Sequence, residues 1–408
     1  MKKRILFISQ RVPFPANKGE KIRTFHQIET LRNKGFEVTI AFLSESSEDD
    51  NYGKALSEAL NCNVYTHHFS LPRPLRLASA FFRGTSLSEQ QFSSAHLKKW
   101  LHQHLDDYQY DAVLITASSL LPYLECINNK LKGTDKLPTL LVDFMDVDSD
   151  KWRQYAQHSK GPMRYLYQRE ASYVAKLEKD CITLCNEAYL IAEAEVDVFN
   201  RTVMSSEKLK VMGNGLDSDT FTPASEEKDY SLPILLFTGV MDYKPNVDAV
   251  RWFIRDVWPV VKEALPNAEF IIGGMNPVDE IKNLNGKNGI EVTGFVDDIM
   301  PYFHKATMFV APFQIARGVQ NKVLQAFSCA LPVVTTPMGA EGIHCTNNED
   351  VIIADSASSF AQAVIAMARD KEKSAAIGAA ARELIVQHYS WQSRVAPLIN
   401  KLNAGEVE

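Results

Sequence analysis

A predicted helix near residue 321 carries hydrogen-bonding side chains along one face. Its sequence, RGVQNKVLQAFSCA (317–330), repeats apolar residues at the helical spacing, which marks the face that packs into a core. The polar face consists of Asn321, Lys322, Gln325 and Ser328. Gly318 stands at the helix start, where unpaired backbone amides attract negative charge. The pattern favours a ligand bound at the start of the helix; the alternative is a solvated surface face.

A second possible anion site follows the predicted strand PILLFTG (233–239). Gly239 ends this strand, and Lys244 stands a short turn later, directly before a predicted helix. Backbone amides, a helix N-terminus and a lysine can together hold a diphosphate. A surface turn is the alternative for this segment alone. Two helix starts on neighbouring strand ends, however, favour a ligand that contains a diphosphate.

The elements that must position these residues alternate between strands and helices. Strands are predicted at 5–9, 38–43, 111–117, 139–145, 233–239, 268–274, 290–295, 306–313 and 332–336, and a long helical stretch at about 163–199. This alternation is typical of parallel sheets covered by helices. Because a turn-rich, charged connection lies near 200–230, we predict Rossmann-like domains over 1–222 and 223–388, followed by a last helix over 389–408. Two such halves usually bind a ligand in the cleft between them.

Composition and missing motifs disfavour several other classes of protein. The 408 residues are too many for one core, and the net charge of −6 gives no reason to expect nucleic-acid binding. Six scattered cysteines without a CxxC pair fit a reducing compartment and indicate neither a disulfide framework nor a zinc site. No GxGxxG follows the first strand and no GxxxxGK[ST] loop occurs, which disfavours dehydrogenase and P-loop chemistry. MKKRILFISQ at the start predicts a strand and not a signal peptide, and no apolar run is membrane-spanning, so we expect a cytoplasmic protein.

Segments along nearly the whole chain resemble glycosyltransferase family 4. In the connection and the second half these are MGNGLDSDTF (212–221), TGVMDYKPNVDAVRWF (238–253), VTGFVDDIMPYFHKATMFVAPF (292–313) and RGVQNKVLQAFSCALPVVTTPMGAEGI (317–343). In the first half, PFPANKGEKIRTFHQIETLRNKGFEVTIAF (13–42) and LVDFMDVDSDKW (141–152) are similar to a narrower branch. That branch is the sugar transferases associated with bacterial exopolysaccharide clusters of the exosortase/PEP-CTERM type.

The resemblance implies an α/β protein of the GT-B fold, in which two Rossmann-like domains face a central cleft and the last helix crosses back to the N-terminal domain. It implies transfer of a sugar from a nucleotide-diphosphate sugar, with retention of configuration, to a glycan or lipid-linked acceptor in exopolysaccharide or cell-surface polysaccharide synthesis. No metal and no cofactor are expected, because basic side chains and helix dipoles stabilise the leaving group. The predicted donor-binding residues are Gly19, Gly239, Lys244, Phe295, Val296, Arg317, Gly318, Val319, Gln320, Asn321, Lys322 and Gln325.

The helix at 317–330 departs from the wider family, in which two glutamates spaced by seven residues are common. Arg317 and Gln325 occupy those positions. Gln325 can still hydrogen-bond ribose hydroxyls, and Arg317 can pair with the diphosphate or with an acidic donor sugar. A Gly-Arg pair common in the family is also absent, since Val240 follows Gly239, which leaves Lys244 as the predicted phosphate cation. We therefore predict catalytic roles for Lys244 and Arg317.

The predicted acceptor side lies in the first half. In the family, the loop after the first strand faces the cleft, which implies acceptor contacts for Lys18, Glu20 and Arg23; an ordinary basic helix start is the alternative. Strand ends also line the cleft. The strand 139–145 is accordingly expected to place three aspartates there, namely Asp143, Asp146 and Asp148. Many relatives carry a histidine in this region, and Asp146 is its closest replacement in this sequence. Asp146 could orient the acceptor hydroxyl or act as a catalytic base; a helix N-cap is the alternative.

The segment LPRPLRLASAFFRG (71–84) interleaves arginines with leucines and phenylalanines. Such a segment suits the surface of an anionic membrane, which would match a lipid-linked acceptor and a peripheral position at the cytoplasmic face of the inner membrane. An ordinary helix packed on the first domain is the alternative.

Two other functions fit the same pattern. A GT-B nucleotide-sugar epimerase would bind the donor and need no acceptor. A catalytically inactive partner would bind a nucleotide sugar without turnover, and the missing glutamates at 317 and 325 favour it to some degree.

Overall fold

Two compact units divide the chain. The computed structural model describes residues 2–17, 19–69, 71–225, 228, 231–315 and 319–404. Unit 1 extends to Asn214 and resumes at Arg394, whereas unit 2 spans Gly215–Ser393. The boundaries predicted from the sequence, after 222 and after 388, therefore differ from those of the units by a few residues.

The connecting residues 215–221 belong to unit 2 because they hydrogen-bond to its last helices. The amide of Leu216 donates to the carbonyl of Tyr389 at 2.6 Å. The Arg382 guanidinium donates to the carbonyls of Ser218 at 3.1 Å and Phe221 at 2.9 Å. A Cβ atom at Gly215 would stand 2.5 Å from the Trp391 ring, so only glycine allows this close approach. The turn-rich composition near 200–230 does not reveal these contacts.

Unit 1 contains one sheet of seven parallel strands in the order β3-β2-β1-β4-β5-β6-β7. The strands are β1 (Arg4–Ser9), β2 (Glu37–Ser44), β3 (Asn63–His68), β4 (Ala112–Ile115), β5 (Thr139–Met145), β6 (Glu187–Leu190) and β7 (Leu209–Val211). The helices are α1 (Gly19–Asn33), α2 (Ser47–Leu60), α3 (Arg73–Arg83), α4 (Leu87–Gln91), α5 (Ala95–Asp107), α6 (Leu121–Leu131), α7 (Asp148–Gln157), α8 (Gly161–Leu184) and α9 (Glu193–Thr202). All four residues of β4 are buried, as expected of a parallel strand covered on both faces.

Unit 2 contains a second parallel sheet, of six strands, in the order β10-β9-β8-β11-β12-β13. The strands are β8 (Ile234–Thr238), β9 (Glu269–Gly273), β10 (Ile290–Gly294), β11 (Met308–Ala311), β12 (Val333–Thr335) and β13 (Ile352–Ile353). The helices are α10 (Lys244–Trp252), α11 (Trp258–Ala264), α12 (Asp279–Lys282), α13 (Met300–Lys305), α14 (Asn321–Ser328), α15 (Pro337–Ala340), α16 (Ala357–Arg369) and α17 (Lys371–Leu384). The short helix α18 (Trp391–Arg394) includes the boundary, since unit 1 resumes at its last residue. Strand order reverses between β8 and β11, which is where open α/β sheets bind ligands.

The last helix, α19 (Ala396–Asn403), packs on unit 1. Lys3 Nζ donates to the carbonyl of Leu402 at 2.7 Å, and Lys401 Nζ lies 3.8 Å from a Glu187 carboxylate oxygen. The expected return of the C-terminal helix to the N-terminal domain is therefore confirmed, as is the α/β class with two Rossmann-like sheets. Within the described residues, no helix has both the length and the apolar character needed to cross a membrane.

The prediction of one long helix over about 163–199 was wrong. Helix α8 ends at Leu184, strand β6 follows, and α9 begins at Glu193. Cys185 adopts an extended backbone with φ −75° and ψ 161°, which ends α8. Strand β6 has only four residues, EAYL, and so short a segment does not visibly interrupt the helical pattern of the sequence. Strands β3, β7 and β13 were missed as well, because β3 has the polar sequence NVYTHH and the other two are very short.

Candidate functional site

A cavity of about 730 Å³ lies at the carboxyl ends of β8, β9 and β10 in unit 2, beside the start of α14. Its position is the one that strand order favours for a ligand. The cavity is large enough for a nucleotide-sized molecule. It is lined by Thr238, Gly239, Val240, Asp242, Tyr243, Asn246, Gly273, Gly274, Met275, Phe295, Val296, Ile299, Asn321, Lys322 and Gln325.

Lys322 provides the positive charge of this cavity. It is the second residue of α14, and its Nζ donates a hydrogen bond to Asn246 Oδ1 at 2.6 Å. The ammonium also lies over the rings of Phe237, at 5.1 Å from the centroid, and Phe313, at 4.9 Å. No carboxylate in the described part of the chain forms an ion pair with it. Burial among these groups lowers the pKa of Lys322 to about 8.

The end of β8 comes close to this lysine because residue 239 has no side chain. A Cβ atom there would stand 2.6 Å from Asn246 Nδ2 and 3.0 Å from Lys322 Nζ. Asn246 Nδ2 donates in turn to the carbonyl of Val240 at 2.9 Å, which fixes the amide and aims its oxygen at the lysine. Glycine, asparagine and lysine thus form one polar part of the cavity, in which the cation has no carboxylate partner among the residues that the structure describes.

Other residues that line the cavity are apolar. Phe295 is 68% exposed, and Val240, Tyr243 and Met275 are also large hydrophobic residues left open to solvent. All four line the cavity. Exposed aromatic and aliphatic groups around a recess provide stacking area for a planar ligand. A ligand with an anionic part and a flat apolar part would therefore match both Lys322 and the apolar lining.

Several predicted donor residues lie on this cavity, namely Gly239, Phe295, Val296, Asn321, Lys322 and Gln325. Val319 and Gln320 precede α14 without lining the cavity; Val319 is exposed and Gln320 is the N-cap residue. Arg317 and Gly318 lie outside the described residues. The sequence did not predict the other lining residues, which include Asn246, two residues after Lys244.

Lys244 does not line the cavity. It is the first residue of α10, its side chain is 81% exposed, and its Nζ forms an ion pair with Asp248 one helical turn later. The pKa of Asp248 is held below its ordinary value, chiefly by that hydrogen bond. The geometry therefore favours Lys322 as the phosphate cation, and the role of Lys244 stays a prediction.

In unit 1, Arg23 and Asp143 form a buried ion pair. Arg23 Nε and NH2 donate to the two carboxylate oxygens of Asp143 at 2.7 and 2.9 Å, and both side chains are 1% exposed. Gln27 Nε2 adds a third hydrogen bond to Asp143 at 2.6 Å, and Arg23 NH1 donates to Asn214 Oδ1 at 3.0 Å. Both side chains are therefore buried and engaged in hydrogen bonds within unit 1, and their contact with the acceptor stays a prediction.

The other predicted acceptor residues lie nearer the surface. Asp146 is exposed in the turn between β5 and α7, and Asp148 is the half-buried first residue of α7. Burial raises the pKa of Asp148, against the lowering effect of Lys151, and the nearby carboxylates of Asp146 and Glu20 add to the rise. The loop after β1 and the end of β5 therefore bring three acids together. The N-cap of α7 is Val147, which leaves Asp146 without the predicted capping role.

The β1–α1 loop itself is fixed by an ion pair. Glu20 accepts a hydrogen bond from Arg11 NH1 at 2.6 Å. Gly19 is the first residue of α1, and a Cβ atom there would meet nothing within 4 Å. Lys18 lies outside the described residues. Among the described residues, no group of three or more histidines, cysteines or acids is arranged to hold a metal ion, and the expectation of metal-free chemistry stays a prediction.

Comparisons with known proteins agree with this geometry. Residues 232–370, which contain all the described residues that line the cavity, match the family described as glycosyl transferases group 1. An uncharacterized 44.6 kDa protein in the cps region of Klebsiella pneumoniae is 23% identical over 89% of this chain and 90% of its own. A 2-deoxystreptamine N-acetyl-D-glucosaminyltransferase of Niallia circulans is 23% identical over 63% of this chain and 66% of its own.

Solved structures show the same fold. HepE of Anabaena, determined in complex with UDP, has a TM-score of 0.60 at 14% identity and covers 99% of this chain and 100% of its own. Sucrose-phosphate synthase of Thermosynechococcus elongatus has a TM-score of 0.55 at 15% identity, over 99% of this chain and 100% of its own. These neighbours are GT-B glycosyltransferases, and the fold of the protein is accordingly GT-B.

Proposed function

We propose that the protein is a retaining glycosyltransferase of family 4 that moves a sugar from a nucleotide-diphosphate sugar to a glycan or lipid-linked acceptor. We place it in exopolysaccharide or cell-surface polysaccharide synthesis in the cytoplasm, in the branch associated with exosortase-type clusters. The observation that carries the proposal is the Lys322 ammonium, held by Asn246 beside Gly239 and forming no ion pair with a carboxylate of the described residues. A cation in that setting, at the end of a central strand, matches a diphosphate.

In this proposal the donor fills the cavity from end to end. The nucleobase rests on the apolar wall around Phe295 and Val296, the ribose lies against Gln325, and the diphosphate lies at Lys322 and the first amides of α14. When the bond between the anomeric carbon and the phosphate oxygen breaks, negative charge develops on the departing diphosphate. Lys322 is preorganised to stabilise that charge. Arg317 is proposed to assist from the preceding residues.

The acceptor side of the proposal rests on Asp146. It is an exposed carboxylate in the turn between β5 and α7, two residues before Asp148. In this role it orients the hydroxyl and accepts its proton as the new glycosidic bond forms.

The comparisons support this choice of substrate class. HepE was solved with UDP and with UDP-glucose, which makes uridine nucleotides the first to test here. The Klebsiella relative stands in a cps region, and the Niallia relative is named for transfer of N-acetylglucosamine. Surface polysaccharide synthesis is therefore the proposed setting.

Thermal-shift binding with UDP, GDP, ADP and CMP tests the donor site. We expect one nucleoside diphosphate to stabilise the protein selectively, and its sugar conjugate to be consumed only when an acceptor is present. Gln325→Ala should weaken nucleotide binding about fivefold, since one net hydrogen bond contributes about 1 kcal/mol. Conversion of the sugar nucleotide without acceptor would favour an epimerase. Binding without turnover in any acceptor extract would favour an inactive partner, and binding of no nucleotide would refute the proposal.

Substituting Gly239 tests whether the strand end must approach the ligand. In Gly239→Ala the new methyl group would displace Asn246 and Lys322, so we expect nucleotide affinity to fall about tenfold, equivalent to ~1.4 kcal/mol. The melting temperature without ligand should fall only slightly, because Lys322 Nζ is the end of a flexible chain. Isothermal titration calorimetry measures the affinity; an unchanged value would place the diphosphate elsewhere.

A further inference from the structure

Helix α3 of unit 1 has its apolar side turned outward. The residues it buries are Arg76 and Ala80. Leu75, Phe81 and Phe82 are instead 56%, 56% and 91% exposed. A helix that packs on a domain buries its leucines and phenylalanines and exposes its arginines. This arrangement is the reverse, so core packing does not account for the sequence of α3.

The exposed apolar surface continues onto helix α8. Arg169 of α8 donates to the carbonyls of Ala80 at 3.2 Å and Thr85 at 2.8 Å, and its guanidinium lies 4.9 Å from the centroid of the Phe81 ring. Tyr165 stands one helical turn before Arg169, on the same face of α8, and is 74% exposed. Leu71, before α3, is 52% exposed. We call residues 71–83 and 160–165 together the α3 surface.

The charge of the α3 surface has one sign. Residues 71–88 and 159–169 contain no acidic residue, although the chain as a whole has a net charge of −6. Its exposed cations pair with no carboxylate in the described part of the chain. They are Arg73, Arg83, Lys160 and Arg164. Exposed aromatic and aliphatic side chains ringed by unpaired cations complement a surface that is apolar within and anionic at its rim.

A polar recess opens at the start of α3. Its volume is about 390 Å³, and Arg73 and Arg76 line it together with Glu45 and His68. Arg76 is 5% exposed; one of its terminal nitrogens donates to Glu45 at 2.7 Å, and its buried Nε has no hydrogen-bond partner among the described residues. An anionic group could therefore bind in this recess, beside the exposed apolar side chains of α3.

We propose that the α3 surface binds a bilayer containing anionic lipids, with α3 lying in the interface, its phenylalanines among the acyl chains and its arginines at the phosphates. The inference goes beyond the proposed function. Only its corollary rests on that function, namely that the acceptor is itself held in the membrane as a lipid-linked molecule. Membrane binding by unit 1 and nucleotide binding by unit 2 can fail separately.

Co-sedimentation of the full chain with sucrose-loaded vesicles tests the proposal. Vesicles of phosphatidylglycerol and phosphatidylcholine in equal parts should pellet the protein, and vesicles of phosphatidylcholine alone should not. Leu75→Ser/Phe82→Ser should weaken binding to the anionic vesicles about tenfold or more, because two exposed apolar groups are lost. Arg73→Gln/Arg83→Gln should weaken it by about fivefold per arginine, and added salt should weaken the wild type similarly.

Val260→Ser is the matched control, since Val260 is 46% exposed on α11 of unit 2 and should not affect vesicle binding. The far-UV circular dichroism spectrum and the thermal melting curve of each variant, compared with those of the wild type, show that it is folded. The proposal is overturned if the wild type ignores anionic vesicles, if it binds both vesicle types equally, or if Leu75→Ser/Phe82→Ser binds as tightly as wild type. It is also overturned if the α3 surface pairs with a second copy, seen as a dimer in sedimentation equilibrium that Leu75→Ser/Phe82→Ser abolishes. Vesicle binding with no response to any nucleotide would support this inference and contradict the proposed function.

Discussion

Lys322→Met is expected to weaken binding of the nucleoside diphosphate about 10- to 100-fold, the loss of one or two charge-assisted hydrogen bonds. Isothermal titration calorimetry at neutral pH measures it. Methionine replaces the apolar part of the lysine side chain near Phe237 and Phe313, while it removes the ammonium that Asn246 holds. Lys244→Met is the matched control: its lysine is exposed and paired with Asp248, so affinity should change little. A larger loss in Lys244→Met than in Lys322→Met would restore Lys244 as the phosphate cation.

The same substitution should leave the fold as stable as before, or more stable. The pKa of Lys322 is lowered to about 8 in the folded protein, against about 10.4 for an unfolded lysine. The charged form is therefore disfavoured by folding, and its cost is present in full below pH 8 and disappears as the pH rises from about 8 towards 10.4. At neutral pH, methionine removes that cost. A melting temperature at or above that of the wild type would show that the lysine serves the ligand and not the fold.

Nucleotide affinity should also depend on pH through this residue. Below pH 8 the free protein carries the ammonium, whereas above pH 8 it must take up a proton to bind the diphosphate, because a bound anion raises the pKa of the lysine. Affinity should therefore fall as the pH rises above about 8, by up to tenfold per pH unit. The affinity of Lys322→Met should not depend on pH in this way. The comparison distinguishes titration of Lys322 from titration of the nucleotide itself.

The sequence predicted the apolar strands of the two sheets better than it predicted the polar or short ones. Apolar runs such as ILLFT in β8 are long, unbroken and buried on both sides, so composition alone identifies them. Strands β3 and β6 escaped because their residues are polar or few, and only pairing with a neighbour makes them strands. The secondary structure of such segments depends on hydrogen bonds to neighbouring strands, which the local sequence pattern does not reveal.

In the candidate site, the sequence predicted positions well and side-chain directions poorly. Gly239, Lys322 and Gln325 line one cavity because they stand at a strand end and on one helix face, which periodicity reveals. Lys244 also stands at a helix start, yet its side chain pairs with Asp248 instead of facing the cavity. Which neighbour a flexible lysine meets depends on the fold. Nothing in the sequence indicated that Asn246 accepts a hydrogen bond from Lys322, apart from its position two residues after Lys244.

The two aspartates at the end of β5 show the same limit. Asp143 lies within the buried part of the strand and Asp146 just beyond it, a difference of three residues that the sequence does not translate into burial. The partner of Asp143 is Arg23, far away in the chain, and no local pattern connects them. The structure therefore divides the predicted acceptor group into a core pair and an exposed carboxylate.

Asp143→Ala is accordingly expected to destabilise unit 1 by about 3–5 kcal/mol, because it leaves the buried Arg23 guanidinium and Gln27 amide without their acceptor. Urea denaturation followed by circular dichroism measures the effect; the transition of unit 2 is the one that nucleotide shifts to higher urea. Arg23→Met/Asp143→Leu should cost less than the two single substitutions added together, since it removes both charges.

Asp146→Ala is the matched control for Asp143→Ala. Because Asp146 is exposed, its loss should change stability by no more than about 0.5 kcal/mol, while it lowers sugar transfer if it contacts the acceptor hydroxyl. The two aspartates should thus separate completely, one affecting unfolding and the other turnover. Equal stability of Asp143→Ala and wild type would mean that the ion pair does not hold α1 against β5, and would favour the predicted acceptor roles of Asp143 and Arg23.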